Sequence, residues 1–167
     1  AYLRMVQGLL AAWAPALPLH VQDSGMDDAA RSSFLARFTD STEPLLALCV
    51  LGGVFAEGID LPGLALIGVC VVGVGLPQVN GENEALRAHY QLAFGSGYGF
   101  AYRYPGMHKV LQAAGRVIRS EEDRGVVLLL DDRYAQAAYR ELLPEHYRVR
   151  TLRAAGDIGE AVRAFWS

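Results

Sequence analysis

Lysine is nearly absent from this chain of 167 residues: of its fifteen lysines and arginines only Lys109 is a lysine. It stands between His108 and Val110, so the chain has no Gly-x-x-x-x-Gly-Lys-Ser/Thr loop, in which backbone amides cradle phosphates and a lysine reaches them. A self-contained nucleotide hydrolase of that kind is excluded. Cysteine is scarce as well. Cys49 and Cys70 form no CxxC pair and fall in apolar runs, where a cysteine is most often a small buried hydrophobe. His20, His89, His108 and His146 are scattered without metal-ligand spacing, so no metal site is expected. The longest apolar stretch, residues 64–76, is interrupted by Gly68, Gly73 and Gly75 and is too short to cross a bilayer, so no membrane partner is expected. The first residues lack the basic region, apolar core and cleavage site of a signal peptide, which makes a cytoplasmic location the default. A net charge of −3 argues against tight, sequence-independent phosphate binding by the domain alone.

What is present is a hydrophobic fraction of 52%, enough for one substantial core, and a repeated alternation of strand-like and helix-like segments. Helices are predicted over 2–13, 27–38, 82–92, 106–119, 133–142 and 158–166, and strands over 18–22, 45–50, 64–74, 126–130 and 147–152. Asp27 is the expected N-cap of the second helix, whose Phe34, Leu35 and Phe38 share a face. Asp157 with Glu160 resembles a capping box opening the last one. Alternation of this kind implies an α/β domain with a parallel sheet, and residues 64–74 read as a buried strand in it.

The most informative segment is Gln112-Ala-Ala-Gly115-Arg116-Val-Ile-Arg119. Wound as a helix, it would set Gln112, Arg116 and Arg119 at i, i+4 and i+7, one face carrying an amide and two permanent cations. Guanidinium forks match phosphate oxygens bidentately and can stabilise charge developing on a leaving γ-phosphate. The plain alternative is a solvated arginine face. A second element weighs against it: the glycine-dense loop GGVFAEGIDLPG, Gly52 to Gly63, directly after the strand-like run 45–51. Glycines permit positive φ and close backbone approach, and a loop leaving a parallel strand lies at the sheet edge where α/β proteins keep their sites.

In this order the two segments resemble motifs V and VI of superfamily 2 helicases, and the wording is similar to the DinG/Rad3-like group that includes the XPD-type helicases. The resemblance runs over residues 22–144, through GGVFAEGIDLPG, VGVGLPQ and YPGMHKVLQAAGRVIRSEEDRGVVLLLDDRY, with Asp131, Arg133 and Tyr134 closing it. It implies a RecA-like three-layer domain, residues 1–167, that is the second of two motor domains and lacks its first strand. Such a gap would leave an unpaired edge open to self-association. It implies ATP and Mg2+ held mainly by an N-terminal helicase domain of the same protein, single-stranded DNA as partner, 5′-to-3′ unwinding, and no ATPase in the isolated chain. Arg116 and Arg119 become arginine fingers and Gln112 orients the γ-phosphate or attacking water. Glu57, Gly58, Asp60 and Gly115 stand on the nucleotide side, with Asp60 meeting the ribose or a motif VI arginine. Gly52 and Gly53 offer amides to a DNA phosphate. The family often carries a four-cysteine iron–sulfur cluster in its first half, with no counterpart for its ligands here.

Between the motifs, residues 95–104 interleave glycine with four aromatics and Arg103, a composition suited either to stacking bases or to a flexible surface loop. Arg103 and Tyr104 are the nucleic-acid candidates in it. Arg133 is expected to pair with Asp131 or Asp132. Against the motor reading stands a non-catalytic, helicase-derived module for binding a partner protein.

Overall fold

The structure, a computed structural model, describes residues 6, 8, 16–23, 25–41, 43–53, 55, 61, 65–118 and 122–167. The chain divides into two compact units, Ala1–Ile67 with Gln112–Gly125, and Gly68–Leu111 with Val126–Ser167. Apart from Val6 and Gly8, both helical, the predicted first helix lies outside the described residues.

In the first unit, β1 (Leu19–Val21) pairs in parallel with β2 (Leu46–Leu48), Leu19 opposite Leu46. The helix α1 (Asp28–Asp40) connects them, and the Asp27 carboxylate accepts from the Ala30 amide at 2.8 Å, the expected cap. Phe34 packs with Phe55 at 4.5 Å between ring centroids and with Phe38 at 5.9 Å; Phe34, Phe55 and Leu61 are the buried centre. Burying an aromatic of this size contributes roughly 1.5–3 kcal/mol. Phe55 belongs to the glycine loop, so the loop is anchored by the core it leaves.

In the second unit, β3 (Gly68–Val72) pairs in parallel with β4 (Val126–Leu130) across five register positions. The helix α2 (Gly81–Phe94) opens on Asn80, whose side chain accepts from the Asn83 amide, and ends on Gly95 at φ 69°, whose amide bonds the Gln91 carbonyl. Only glycine adopts that left-handed closure at no steric cost. A π-helical turn, Gly99–Arg103, then runs directly into α3 (Tyr104–Ala114). Its approach to α2 is backbone on backbone: a Cβ on Gly97 would stand 2.2 Å from the Arg87 carbonyl oxygen. A Cβ on Gly106 would likewise stand 2.5 Å from the Val74 oxygen. After β4 come a short 3-10 turn (Asp132–Ala135), α4 (Ala137–Arg140) and α5 (Ala155–Trp166).

The α/β alternation and parallel pairing are as expected. The details differ in instructive places. Within 64–74 the strand is shorter, Gly68–Val72, with Val71 buried and Val72 59% exposed; Val74, just past its end, is 1% exposed. Cys49 and Cys70 are both exposed rather than buried. Residues 133–142 are not one helix but two short turns broken at Gln136. Residues 147–152 are irregular and pair with no strand among the described residues. Helix α5 begins at Ala155, capped by Ala154 without a side-chain bond, so Asp157 lies within its first turn and forms no capping box. Residues 95–104, open to a loop reading, are almost wholly helical.

Candidate functional site

The carboxyl end of β1 and the turn after β2 are joined by one side chain. Gln22 donates its backbone amide to the Leu48 carbonyl at 2.9 Å, and its side-chain oxygen accepts from the Val50 amide at 2.9 Å. The turn closes with the Gly53 amide donating to the Val50 carbonyl at 3.0 Å. Gly52 has φ 74°, a conformation that favours glycine, and a Cβ on Gly53 would meet the Val50 oxygen at 3.0 Å. The Gly53 amide is thus engaged within its own turn. Gln22 was not among the expected site residues. Its signal was legible: a polar residue immediately after a parallel strand, where such sheets expose their functional edge.

The arginine segment departs further from expectation. Helix α3 ends at Ala114, and Gly115 to Val117 form a turn in which the Arg116 amide bonds the Ala113 carbonyl at 3.2 Å and the Val117 amide the Ala114 carbonyl at 3.1 Å. Gln112 and Arg116 therefore do not share a regular helical face: Gln112 sits on the last turn of α3 and Arg116 in the tighter turn beyond it. Two causes are local. Gly115 is a weak helix former, and the β-branched Val117 is buried against Gly125, where an added Cβ would lie only 2.0 Å from its methyl carbon. The shift to three-residue bonds satisfies carbonyls that a fraying helix end would leave open. Gln112 and Arg116 are half-buried and Gly115 is exposed. Arg119, Glu57, Gly58 and Asp60 lie outside the described residues.

Arg103 and Tyr104 belong to the second unit. Arg103 ends the π-helical turn, and its guanidinium carbon stands 5.5 Å from the Tyr104 ring centroid and 5.9 Å from that of Tyr139. Tyr102 is buried, 3% exposed, and donates to the Glu84 carboxylate at 2.6 Å, a bond that raises the phenol above its ordinary pKa. Glu84 is also paired with Arg87 at 3.0 Å. Arg133 takes Asp131 in a two-pronged grip, 2.8 Å on each oxygen, which holds that carboxyl below the usual carboxylate range. Next to it, the Tyr134 hydroxyl donates to the Gly73 carbonyl at 2.7 Å, and burial pushes its pKa up to about 12. Asp131, Arg133 and Tyr134 thus seal the end of the β3/β4 pair.

A groove of about 480 Å³ lies along β1 and α1, with Met26 and Phe34 on its wall. There Arg37 donates to His20 Nδ1, and desolvation together with that cation lowers the imidazole pKa. The described residues that line it belong to neither motif. Among the described residues no group of three or more His, Cys, Asp or Glu is placed to hold a metal ion, and no helix is long and apolar enough to cross a membrane.

Parallel strand pairs joined through helices, with a glycine turn at the carboxyl end of one pair, define an α/β domain of RecA-like build. Solved structures of an XPD helicase are similar to it, with a TM-score of 0.61 at 24% identity over 76% of this chain and 23% of that one. The model of the helicase C-terminal domain matches residues 1–150, and the chain belongs to that family, in its DinG/XPD-like branch of superfamily 2. Among its relatives, a probable ATP-dependent helicase of Methanocaldococcus jannaschii is 29% identical over 148 residues, 80% of this chain and 22% of that protein. The XPD helicase subunit of general transcription and DNA repair factor IIH from Dictyostelium discoideum is 33% identical over 113 residues, 64% of this chain and 14% of that protein. The DinG helicase of Photobacterium profundum is 33% identical over 92 residues, 54% of this chain and 13% of that protein. The chain thus spans less than a quarter of the length of these relatives.

Proposed function

We propose that this chain is the second motor domain of an ATP-dependent DNA helicase of the DinG/XPD type, acting 5′ to 3′ in a cytoplasmic DNA-repair role, and that it hydrolyses no ATP by itself. The magnesium nucleotide is held by the N-terminal helicase domain of the same protein. Arg116 and Arg119 reach the γ-phosphate from the other side, where forked donors offset the charge that develops as water attacks and the β–γ bridge breaks. Gln112 orients the γ-phosphate or the attacking water. Glu57, Gly58, Asp60 and Gly115 form the nucleotide-facing rim, and Gly52, Gly53, Arg103 and Tyr104 belong to the single-stranded DNA track.

The observation that carries this reading is the placement of Gln112 and Arg116 around the end of α3, in a stretch covered by the helicase family match. The test is DNA-stimulated ATP hydrolysis by the intact protein. Arg116→Ala and Arg119→Ala should each retain nucleotide binding and lose hydrolysis by roughly 10³-fold. Full turnover in both variants would defeat the assignment and favour the protein-binding module.

A further inference from the structure

A row of aromatic rings crosses the second unit. Phe94, at the end of α2, stands 5.1 Å from Phe100 in the π-helical turn, and Phe100 stands 5.1 Å from Tyr104 at the start of α3. Tyr90 touches the same row, 5.4 Å from Phe100. These rings are open: Phe94 is 64% exposed, Phe100 39% and Tyr104 37%. They are also fixed. Buried Tyr102 is tied to Glu84 on α2, the Gly97 amide bonds the Gln91 side chain at 2.9 Å, and the Gly97 backbone lies against α2 with no room for a side chain.

At one end of the row lies a cation without a carboxylate. Arg103 makes no ion pair among the described residues, and its Nε is buried with no hydrogen-bond partner, while its guanidinium rests against Tyr104 and Tyr139. The Nε itself is closed off, so an incoming anion would meet the guanidinium through its terminal nitrogens, which no carboxylate among the described residues pairs. Glu84, the acid bonded to Tyr102, has its charge matched by Arg87 and does not compete for Arg103.

We infer that Phe94, Phe100 and Tyr104, with Arg103 at the edge of the row, form a binding strip for single-stranded nucleic acid, in which the rings stack on unpaired bases and the guanidinium takes a backbone phosphate. Open aromatic faces on a rigid element, with a cation beside them, are what sequence-tolerant strand binding requires; a duplex, whose base faces are covered, does not fit. This inference rests on the motor reading and adds Phe94 and Phe100 to it.

The experiment measures affinity of the intact protein for a labelled dT20 strand and for an abasic strand of equal length, which keeps the phosphates and lacks the bases. Phe94→Ala and Phe100→Ala should each weaken dT20 binding by about tenfold and leave the abasic strand within about twofold, and Phe100→Trp should restore it. Arg103→Gln should weaken both strands and lower the slope of log affinity against log salt by about one. Equal loss on both strands, or no loss on either, overturns the strip; in the second case the row is a surface for a protein partner. Phe94 is so exposed that its truncation tests the idea even if the Phe100 variants fold poorly. The two readings fail separately. A protein with DNA-stimulated hydrolysis whose Phe94 and Phe100 variants bind dT20 normally retains the motor and loses the strip. One that discriminates dT20 through these rings yet hydrolyses no ATP retains the strip and loses the motor.

Discussion

The two units hold their parallel strand pairs by different means. The β1/β2 pair is three residues long and is finished by a side chain, Gln22, and by one aromatic, Phe55, that the glycine loop sends back into the core. The β3/β4 pair is five residues long and is finished by a two-pronged ion pair and a tyrosine, while the helices beside it approach through glycines too close to accept a methyl group. The first arrangement depends on a few contacts around one turn. The second is built stiff, as a surface that presents rings at fixed spacing needs to be.

Four measurements would break or sharpen this contrast. The largest effect is expected from Phe55→Ala, which should cost about 3–5 kcal/mol in denaturant unfolding, because it removes one of three buried members of a small core. Next is Gly97→Ala, expected to cost about 1–3 kcal/mol through forced backbone displacement at Arg87, whereas Gly81→Ala, with nothing within 4 Å of the new carbon, should stay within about 0.5 kcal/mol. Equal costs at the two glycines would remove the case for close approach as the stiffening device. Gln22→Ala should cost about 1 kcal/mol, the value of a hydrogen bond whose Val50 amide is left in contact with solvent.

The smallest effect is in the pH dependence, and it separates the units because both groups concerned lie on the β3/β4 side. Asp131 is held below its ordinary pKa by Arg133, so its contribution is complete above about pH 4 and is lost as pH falls through the depressed value. Tyr134 is raised to about 12, so its contribution is complete below about pH 10 and is lost as pH climbs through 12. Asp131→Asn should flatten the acid limb of the stability curve and Tyr134→Phe the alkaline limb. Unchanged limbs would mean that the seal on β4 contributes nothing.

Much of this was legible in the residues. Asp27 capped the helix it was expected to cap, and four of the five predicted strands exist. The failed strand, 147–152, had suitable residues and no neighbouring strand to bond among the described residues. The helix at 133–142 is interrupted at Gln136, whose extended backbone (φ −77°, ψ 137°) ends the turn capped by Asp131 and opens the next. The helix expected through residue 119 stops at Ala114: Val117 turns into contact with Gly125, so Arg116 leaves the helix that spacing assigned to it.

The sequence by itself determined the α/β alternation, the parallel pairing and the family, because those depend on apolar periodicity and on short motifs whose residue types carry their own chemistry. Only the tertiary structure decided where α3 ends, that residues 95–104 wind rather than loop, and which rings stay open. Each of those outcomes turns on a contact between segments far apart in the chain or on an approach too close for a side chain, and neither leaves a periodic trace in the order of residues.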